Sequence, residues 1–268
     1  MHDNQLRIAL IGDVVGEPGM MMAQRYLPLL RQELSLDAII INGENAAQNG
    51  RGITPQTATA LLDAGATVIT TGNHIWGQKE IVPFMQQATT VLRPINFPVG
   101  TPGLGATVVQ VGAYAIAVIN AQGRVFMREL LDCPFRTVEA ALARLKQSTA
   151  IICVDFHAET TAETAAFAFY MDGKVSCVVG THTHVQTADE RVLPHGTAFI
   201  TDLGMCGALN SNLGMKKEGI IQNFLTQMPI RFEVDKQPPF VLSGAVVTIN
   251  PTTGKALDIK RIRIVDEQ

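Results

Sequence analysis

Residues 178–190 read VVGTHTHVQTADE and place His182 and His184 two apart, directly after an apolar run. In an extended segment a spacing of two sends both imidazoles to the same side, an arrangement that suits a metal. The pair fits ordinary loop histidines equally well, so the choice turns on whether other ligands reach the same place. The chain supplies candidates for that. LRIALIGD ends at Asp13, AIIINGEN at Glu44 and Asn45, TVITTGNH at Asn73 and His74, and AIICVDFH at His157. Each run is short, rich in Ile and Val and bounded by Gly, Asn or Asp, the pattern of strands buried on both faces. Each also has a plain reading. Asp13 fits a turn or a helix cap, the asparagines of NGEN and GNH are common turn formers, and His74 fits a packed surface histidine.

Helix-like stretches separate these runs: MAQRYLPLLRQELS, TPQTATALLDAG, QKEIVPFMQQA and TAETAAFAFYM. Thr54 followed by Pro55 reads as a helix cap and first helical position. Alternating strands and helices predict crossover connections, which make consecutive strands parallel and bring their carboxyl ends to one edge of the sheet. Ligands bind at that edge in open α/β sheets. Asp13, Glu44, Asn45, Asn73, His157, His182 and His184 thus form a converging set of oxygen and nitrogen donors without a thiolate, suited to Fe, Mn or Zn. They are too many for one open site, whereas two metals sharing a carboxylate would use them all. His2 and His195 lack a strand-end setting and are assigned nothing.

Length, composition and charge bound the function classes. At 268 residues, one domain over 1–268 is expected. Hydrophobic content of 47%, charged content of 17% and a net charge of −3 describe a well-buried globular protein. There is no basic surplus to attract long nucleic acids, although a small phosphorylated ligand stays open. The N-terminus MHDNQLRIALIGD lacks the pattern of a signal peptide, and no apolar window is long enough to span a membrane, so a soluble cytoplasmic protein is expected. Cys133, Cys153, Cys177 and Cys206 have no paired spacing and read as reduced thiols, not metal ligands. Toward the C-terminus, PIRFEV and FVLSGAVVTINPTTGKALDIKRIRIV read as successive antiparallel, structural strands with a turn at NPTTGK.

The blocks GDVVGEPG, INGENAA, TTGNHIW, RPINFP, VDFHAE, GTHTHVQTAD and TDLGMCG occur in this order. The chain thereby resembles, over essentially its whole length, the YmdB-like branch of the calcineurin-like metallophosphoesterases. The resemblance implies an α/β fold, a four-layer αββα sandwich of two mixed β-sheets flanked by helices. It also implies two divalent metal ions per chain, Fe first with Mn or Zn as alternatives, a homo-oligomer, and hydrolysis of 2′,3′- and 3′,5′-cyclic nucleotides as small-molecule phosphodiester substrates. Carried over residue by residue, Asp13, Asn45 and His184 look like ligands of one metal and Asn73, His157 and His182 of the other. Glu44 would bridge them, and His74 matches the proton donor. Four departures stand out. Val15 occupies a position where many relatives of the wider superfamily carry His, and Glu44 stands where they generally use Asp. Ile75 and Trp76 follow His74 where an acid is common, which leaves that ring without its orienting carboxylate. GALNSNLG after Cys206 differs from the Pro-Tyr-Asp type of segment associated with the closer family.

The expected chemistry is hydroxide attack on phosphorus, with metals lowering the pKa of bound water and His74 protonating the leaving oxygen. Arg51 and Arg124 are candidates for phosphate contact, with solvated loop arginines as the favoured reading. Asp155 and Glu159 flank His157 and are candidates to orient its ring. Two alternatives share the donor set: a phosphomonoesterase or nucleotidase, and a metal-dependent regulatory or scaffold protein with vestigial catalysis.

Overall fold

The computed structural model describes residues 5–268, so His2 lies outside the described residues. In chain order the elements are β1 (Leu6–Ile11), β2 (Asp13–Val14), α1 (Gly16–Glu33), β3 (Ala38–Asn42), α2 (Pro55–Asp63), β4 (Val68–Thr70) and α3 (Ile81–Met85). Then follow β5 (Ala106–Val111), β6 (Tyr114–Gln122), α4 (Pro134–Leu145), β7 (Ile152–His157), α5 (Thr161–Met171) and β8 (Cys177–Thr181). The chain closes with β9 (Arg191–Val192), β10 (Ala198–Ile200), β11 (Met205–Ala208), α6 (Lys217–Thr226), β12 (Phe240–Ile249) and β13 (Ala256–Asp266).

The strands form two mixed sheets. β1, β3 and β4 run parallel in that order, and β12 lies antiparallel beside β1. β13 pairs along the whole of β12, which leaves the other edge of β12 to be shared by β1 and β11. The second sheet has the order β5-β6-β7-β8-β10-β9, with β6, β7, β8 and β10 mutually parallel and an antiparallel strand at each end. The parallel cores match the crossover pattern of the sequence. The segment PIRFEV, expected as a strand, pairs only at Val234 with Met215. Both edges of β12 are already occupied, so β12 is not free to receive it.

Alternation along the strands sorts the side chains into layers. Leu6, Ile8, Leu10, Ala38, Ile40, Val68, Ala245 and Val247 face Ile116, Val118, Cys153, Cys177 and Val179 across the two sheets. Ala9, Ile11, Ile39, Ile41 and Ile69 point the other way and pack on α1 and α2 through Met22, Leu27, Leu30 and Leu61. On the far side, Ile119, Ile152, Val154 and Phe156 pack on α4 and α5 through Val138, Leu142, Phe167 and Met171. The result is helix, sheet, sheet, helix: the αββα sandwich. A one-residue slip of β7 would exchange Phe156 for His157 on the helix-facing side. At roughly 1.5–3 kcal/mol for each large apolar side chain, and more for an unpaired buried acid, that slip is strongly disfavoured.

Local signals explain the helix ends. The Thr54 side chain accepts the Thr57 N–H and the Thr57 hydroxyl accepts the Thr54 N–H, a reciprocal cap with Pro55 at the first helical position of α2. Thr160 accepts the Glu163 N–H at α5. α1 starts at Gly16, six residues before the stretch MAQRYLPLLRQELS, because Gly16 takes φ 57° and its N–H is held by the Asn45 carbonyl at 2.8 Å. Among the described residues, no helix is long and apolar enough to cross a membrane. Cys153, Cys177 and Cys206 are buried, Cys133 is half-buried, and all four are free thiols.

Candidate metal centre

The inward-facing series of both sheets turn polar toward their carboxyl ends. Ala38 and Ile40 are followed by Asn42 and Glu44, Val68 by Thr70, and Val118 by Asn120 and Gln122. Cys153 is followed by Asp155 and His157, and Val179 by Thr181. All of these polar residues are buried. Strand register sets Gln122, His157 and Thr181 opposite one another. The two sheets therefore enclose a polar chamber at one end of an otherwise apolar interface, and such a chamber must satisfy its own hydrogen bonds.

His157 lies at its centre. Its Nδ1 is 2.9 Å from the Thr181 hydroxyl, which donates its own proton to Asp155 Oδ1 at 2.7 Å. Asp155 also accepts from Thr70 and, at 3.1 Å, from Asn42. With its proton committed to Asp155, Thr181 accepts at Nδ1, and the Nε2 lone pair of His157 points into the chamber. There it meets Glu44 Oε1 at 3.2 Å, Asn73 Oδ1 at 3.0 Å and His182 Nδ1 at 3.0 Å. One proton answers one such contact, whereas a metal ion answers several. The ligand atoms of Glu44, His157 and His182 all lie within 4.8 Å of one another.

The other predicted residues join this cluster. Asp13 Oδ2 accepts the His182 N–H at 3.0 Å, while its buried Oδ1 has no hydrogen-bond partner and lies 3.9 Å from His157. His184 Nε2 lies 3.3 Å from Asn45 Oδ1, and its Nδ1 lies 2.9 Å from the Leu213 carbonyl. The N–H of His74 donates to Glu44 Oε2 at 3.1 Å. Gly72 makes this approach possible, since a Cβ there would lie 2.3 Å from His157 Nε2 and 2.4 Å from Glu44 Oε2. The orphaned Asp13 oxygen, the space over Gly72 and the convergent lone pairs fit a divalent metal held by oxygen and nitrogen donors.

Electrostatics agrees with a centre short of positive charge. Burial works against an imidazolium at His157, yet Glu44, Asp13 and Asp155 push that ring up to about 9. Burial also tends to raise Glu44, but His157 and His74 hold it down at about 2. Burial and the neighbouring His157 charge push His182 down to about 3. Burial, with Glu44 and Asp202 adding, pushes Asp13 well above the carboxylate range against the pull of His157.

Several expectations need correction. His182 and His184 do not share a face of an extended segment. β8 ends at Thr181, and both histidines adopt positive φ, 110° and 64°, so that backbone kinks aim the rings. Glu159 bonds His182 Nε2 at 2.9 Å and not His157, while Asp155 reaches His157 only through Thr181. Arg124 is exposed, and its backbone N–H is held by Glu163 at 3.0 Å, whereas Arg51 lines the groove outside the centre. The ring of His74 has the Asn73 amide nitrogen 3.4 Å from Nδ1. Val15 is fully buried in an apolar cluster with Met205 and Val241.

Sequence reasoning missed Asn42, Thr70, Thr181 and Asp202. Asp202, buried and pushed up to about 7 by that burial, accepts the Thr183 N–H at 3.0 Å and the Gly204 N–H at 2.7 Å and so fixes the loop carrying both histidines. The signal for Thr181 and Thr70 was their place in the inward phase of β8 and β4. A Thr181→Val protein keeps the shape and loses the relay to Asp155. It is expected to lose roughly 10–100-fold in metal affinity, with Thr181→Ser restoring most of it, measured by metal titration.

The 2′,3′-cyclic-nucleotide 2′-phosphodiesterase of Bacillus subtilis strain 168 is 48% identical over 262 residues, covering 98% of this chain and 98% of that protein. The crystal structure of a hypothetical protein from Thermus thermophilus superposes with a TM-score of 0.90 at 36% identity, covering 97% of this chain and all of that one (100%). The crystal structure of a novel phosphatase from Mycoplasma pneumoniae gives a TM-score of 0.92 at 33% identity over 98% of this chain and 95% of that one. The model of the YmdB-like protein family matches residues 9–262, and the chain belongs to that family.

Proposed function

We propose that this chain is a metal-dependent phosphodiesterase that opens 2′,3′-cyclic nucleotides, and also accepts 3′,5′-cyclic nucleotides, at a centre of two divalent ions. The observation that carries the reading is the convergence on His157 Nε2 of Glu44, Asn73 and His182 beside the orphaned Asp13 oxygen. The 48% identity to a 2′,3′-cyclic-nucleotide 2′-phosphodiesterase supports the substrate class. Asp13, Asn45 and His184 would hold one ion, Asn73, His157 and His182 the other, and Glu44 both. Fe is proposed first, with Mn or Zn as alternatives. Bound there, such ions supply positive charge for the phosphate oxygens and lower the pKa of water.

The chain's own residues do the rest. A water oxygen forms the new bond to phosphorus, the P–O2′ bond breaks, and O2′ takes a proton, leaving a nucleoside 3′-phosphate. His74 stands one residue beyond Asn73, with its backbone N–H anchored on Glu44. The Asn73 amide nitrogen, a donor only, sits against Nδ1, so Nε2 is the edge offered to the leaving oxygen. Asp155 and Thr181 keep His157 in one tautomer throughout.

The test is side-by-side hydrolysis of 2′,3′-cyclic AMP, 3′,5′-cyclic AMP and 3′-AMP, with metal content determined on the same sample. Turnover of the cyclic diesters with about two ions per chain supports the reading. Hydrolysis of the terminal phosphate alone overturns it in favour of a phosphomonoesterase. Metal without any turnover points to a regulatory role.

A further inference from the structure

The centre opens into a groove of about 1480 Å³, lined by Glu44, His74 and His182 and by Arg231, Phe232, Glu233, Val234, Lys236 and Gln237. Clefts that take one drug-sized ligand span roughly 300–1000 Å³, so a single cyclic nucleotide leaves much of this groove empty. The far wall is built from the centre outward by contacts. His184 Nδ1 bonds the Leu213 carbonyl, Met215 pairs with Val234, and the chain runs back from Val234 to Phe232 and Arg231. The loop that carries Arg51 adjoins that wall, since a Cβ at Gly50 would lie 2.6 Å from Met215 and 2.9 Å from Val234.

The lining has a specific chemistry. Four cations, Arg51, Lys216, Arg231 and Lys236, line the groove together with the carboxylates Glu44, Glu80, Glu159 and Glu233. Lys216 is tied to Glu233 at 2.7 Å and Lys236 to Glu17 at 2.5 Å. Arg51 and Arg231 make no ion pair among the described residues, and Phe232 lines the same groove with 50% of its surface open. Free guanidinium forks suit phosphate oxygens, and an open aromatic face suits a stacked base. Phosphates for the two arginines and a base for the aromatic face together describe a short single strand. The net charge of −3 does not favour a long polyanion, so the match is to a few nucleotides.

We propose that the groove takes short oligoribonucleotides ending in a 2′,3′-cyclic phosphate, with the terminal ring at the metal centre, Arg51 and Arg231 on upstream phosphates and Phe232 under an upstream base. The inference rests on the phosphodiesterase reading and extends it along the groove. The bond changes are those of the mononucleotide: water adds to phosphorus, P–O2′ breaks, and the strand is left with a 3′-phosphate. Such ends are made by reactions in which a ribose 2′-hydroxyl displaces the next nucleotide, so this chain would act after an RNA-cleaving step of that class.

The experiment compares kcat/KM for 2′,3′-cyclic AMP and for the adenosine trinucleotide with a 2′,3′-cyclic phosphate end, using the full chain loaded with metal. The trinucleotide is expected to be favoured by about ten-fold, and this ratio should fall toward one in Arg231→Ala and Phe232→Ala proteins of unchanged circular dichroism. Anisotropy of the 5′-labelled trinucleotide on the His74→Ala protein supplies a binding readout, expected to weaken in step when either substitution is added. Hydrolysis of the mononucleotide with no preference for the trinucleotide overturns the inference and leaves the phosphodiesterase reading intact. A change of oligomeric mass in the two variants with no change of the ratio also overturns it, assigning the wall to contacts between copies. Turnover of neither substrate overturns both.

Discussion

A Glu44→Gln protein is expected to lose most of its bound metal and to fall by more than about 10³-fold in kcat/KM, a larger loss than the roughly 10–100-fold of an outer partner such as Thr181. The substitution keeps the volume and removes one charge from a fully buried position. Both carboxylate oxygens of Glu44 make contacts in the centre. Oε1 lies 3.2 Å from His157 Nε2, and Oε2 receives the His74 N–H at 3.1 Å. A glutamine places an amide N–H where a lone pair is needed, so the defect is one of charge and donor type together. Metal analysis of the purified variant beside its rate is the measurement. A full complement of metal with wild-type turnover would remove Glu44 from the centre.

His74→Ala is expected to separate binding from chemistry. The ring is half-buried beside Asn73, so the variant should retain its metal while turnover of 2′,3′-cyclic AMP falls about 10² to 10⁴-fold, the usual scale of general acid catalysis. A substrate with a good leaving group tests the role directly, because an anion that departs without a proton needs no donor. With a p-nitrophenyl phosphodiester the loss in the variant should shrink to a few-fold. An equal loss on both substrates would instead mean that His74 positions the phosphate.

Much of the centre was legible because its residues end locally recognisable strands. Apolar runs of Ile and Val bounded by Gly, Asn or Asp mark parallel strands, and parallel strands bring their carboxyl ends together whatever their order in the sheet. That argument gathers Glu44 and Asn73, which follow neighbouring strands of one sheet, whereas His157 ends a strand of the other sheet and meets them at 3.2 and 3.0 Å through the packing of the two sheets. His182 and His184 were found on a different ground from the one that applies, since neither lies in extended backbone. The helix cap at Thr54 is equally local and appears as the sequence pattern implies.

What remained hidden depends on partners distant in sequence. Thr181 bonds His157 from 24 residues away, and Asn42 reaches Asp155 across 113. A threonine near the end of a strand is unremarkable until the neighbouring strand's register puts an imidazole beside it. The strand expected at PIRFEV failed for a similar reason, as both edges of β12 were taken by strands from elsewhere in the chain.

The sequence by itself determined the donor types, their strand-end settings and the alternation that makes the core of each sheet parallel, because these follow from side-chain chemistry and from periodicities of two and 3.6 residues. Tertiary structure decided which face each donor presents, which tautomer His157 adopts and where the groove wall of Arg231 and Phe232 stands. Those features are set by strand register and sheet packing. Both are global balances of buried apolar area against unsatisfied polar groups, and no short window of sequence contains them.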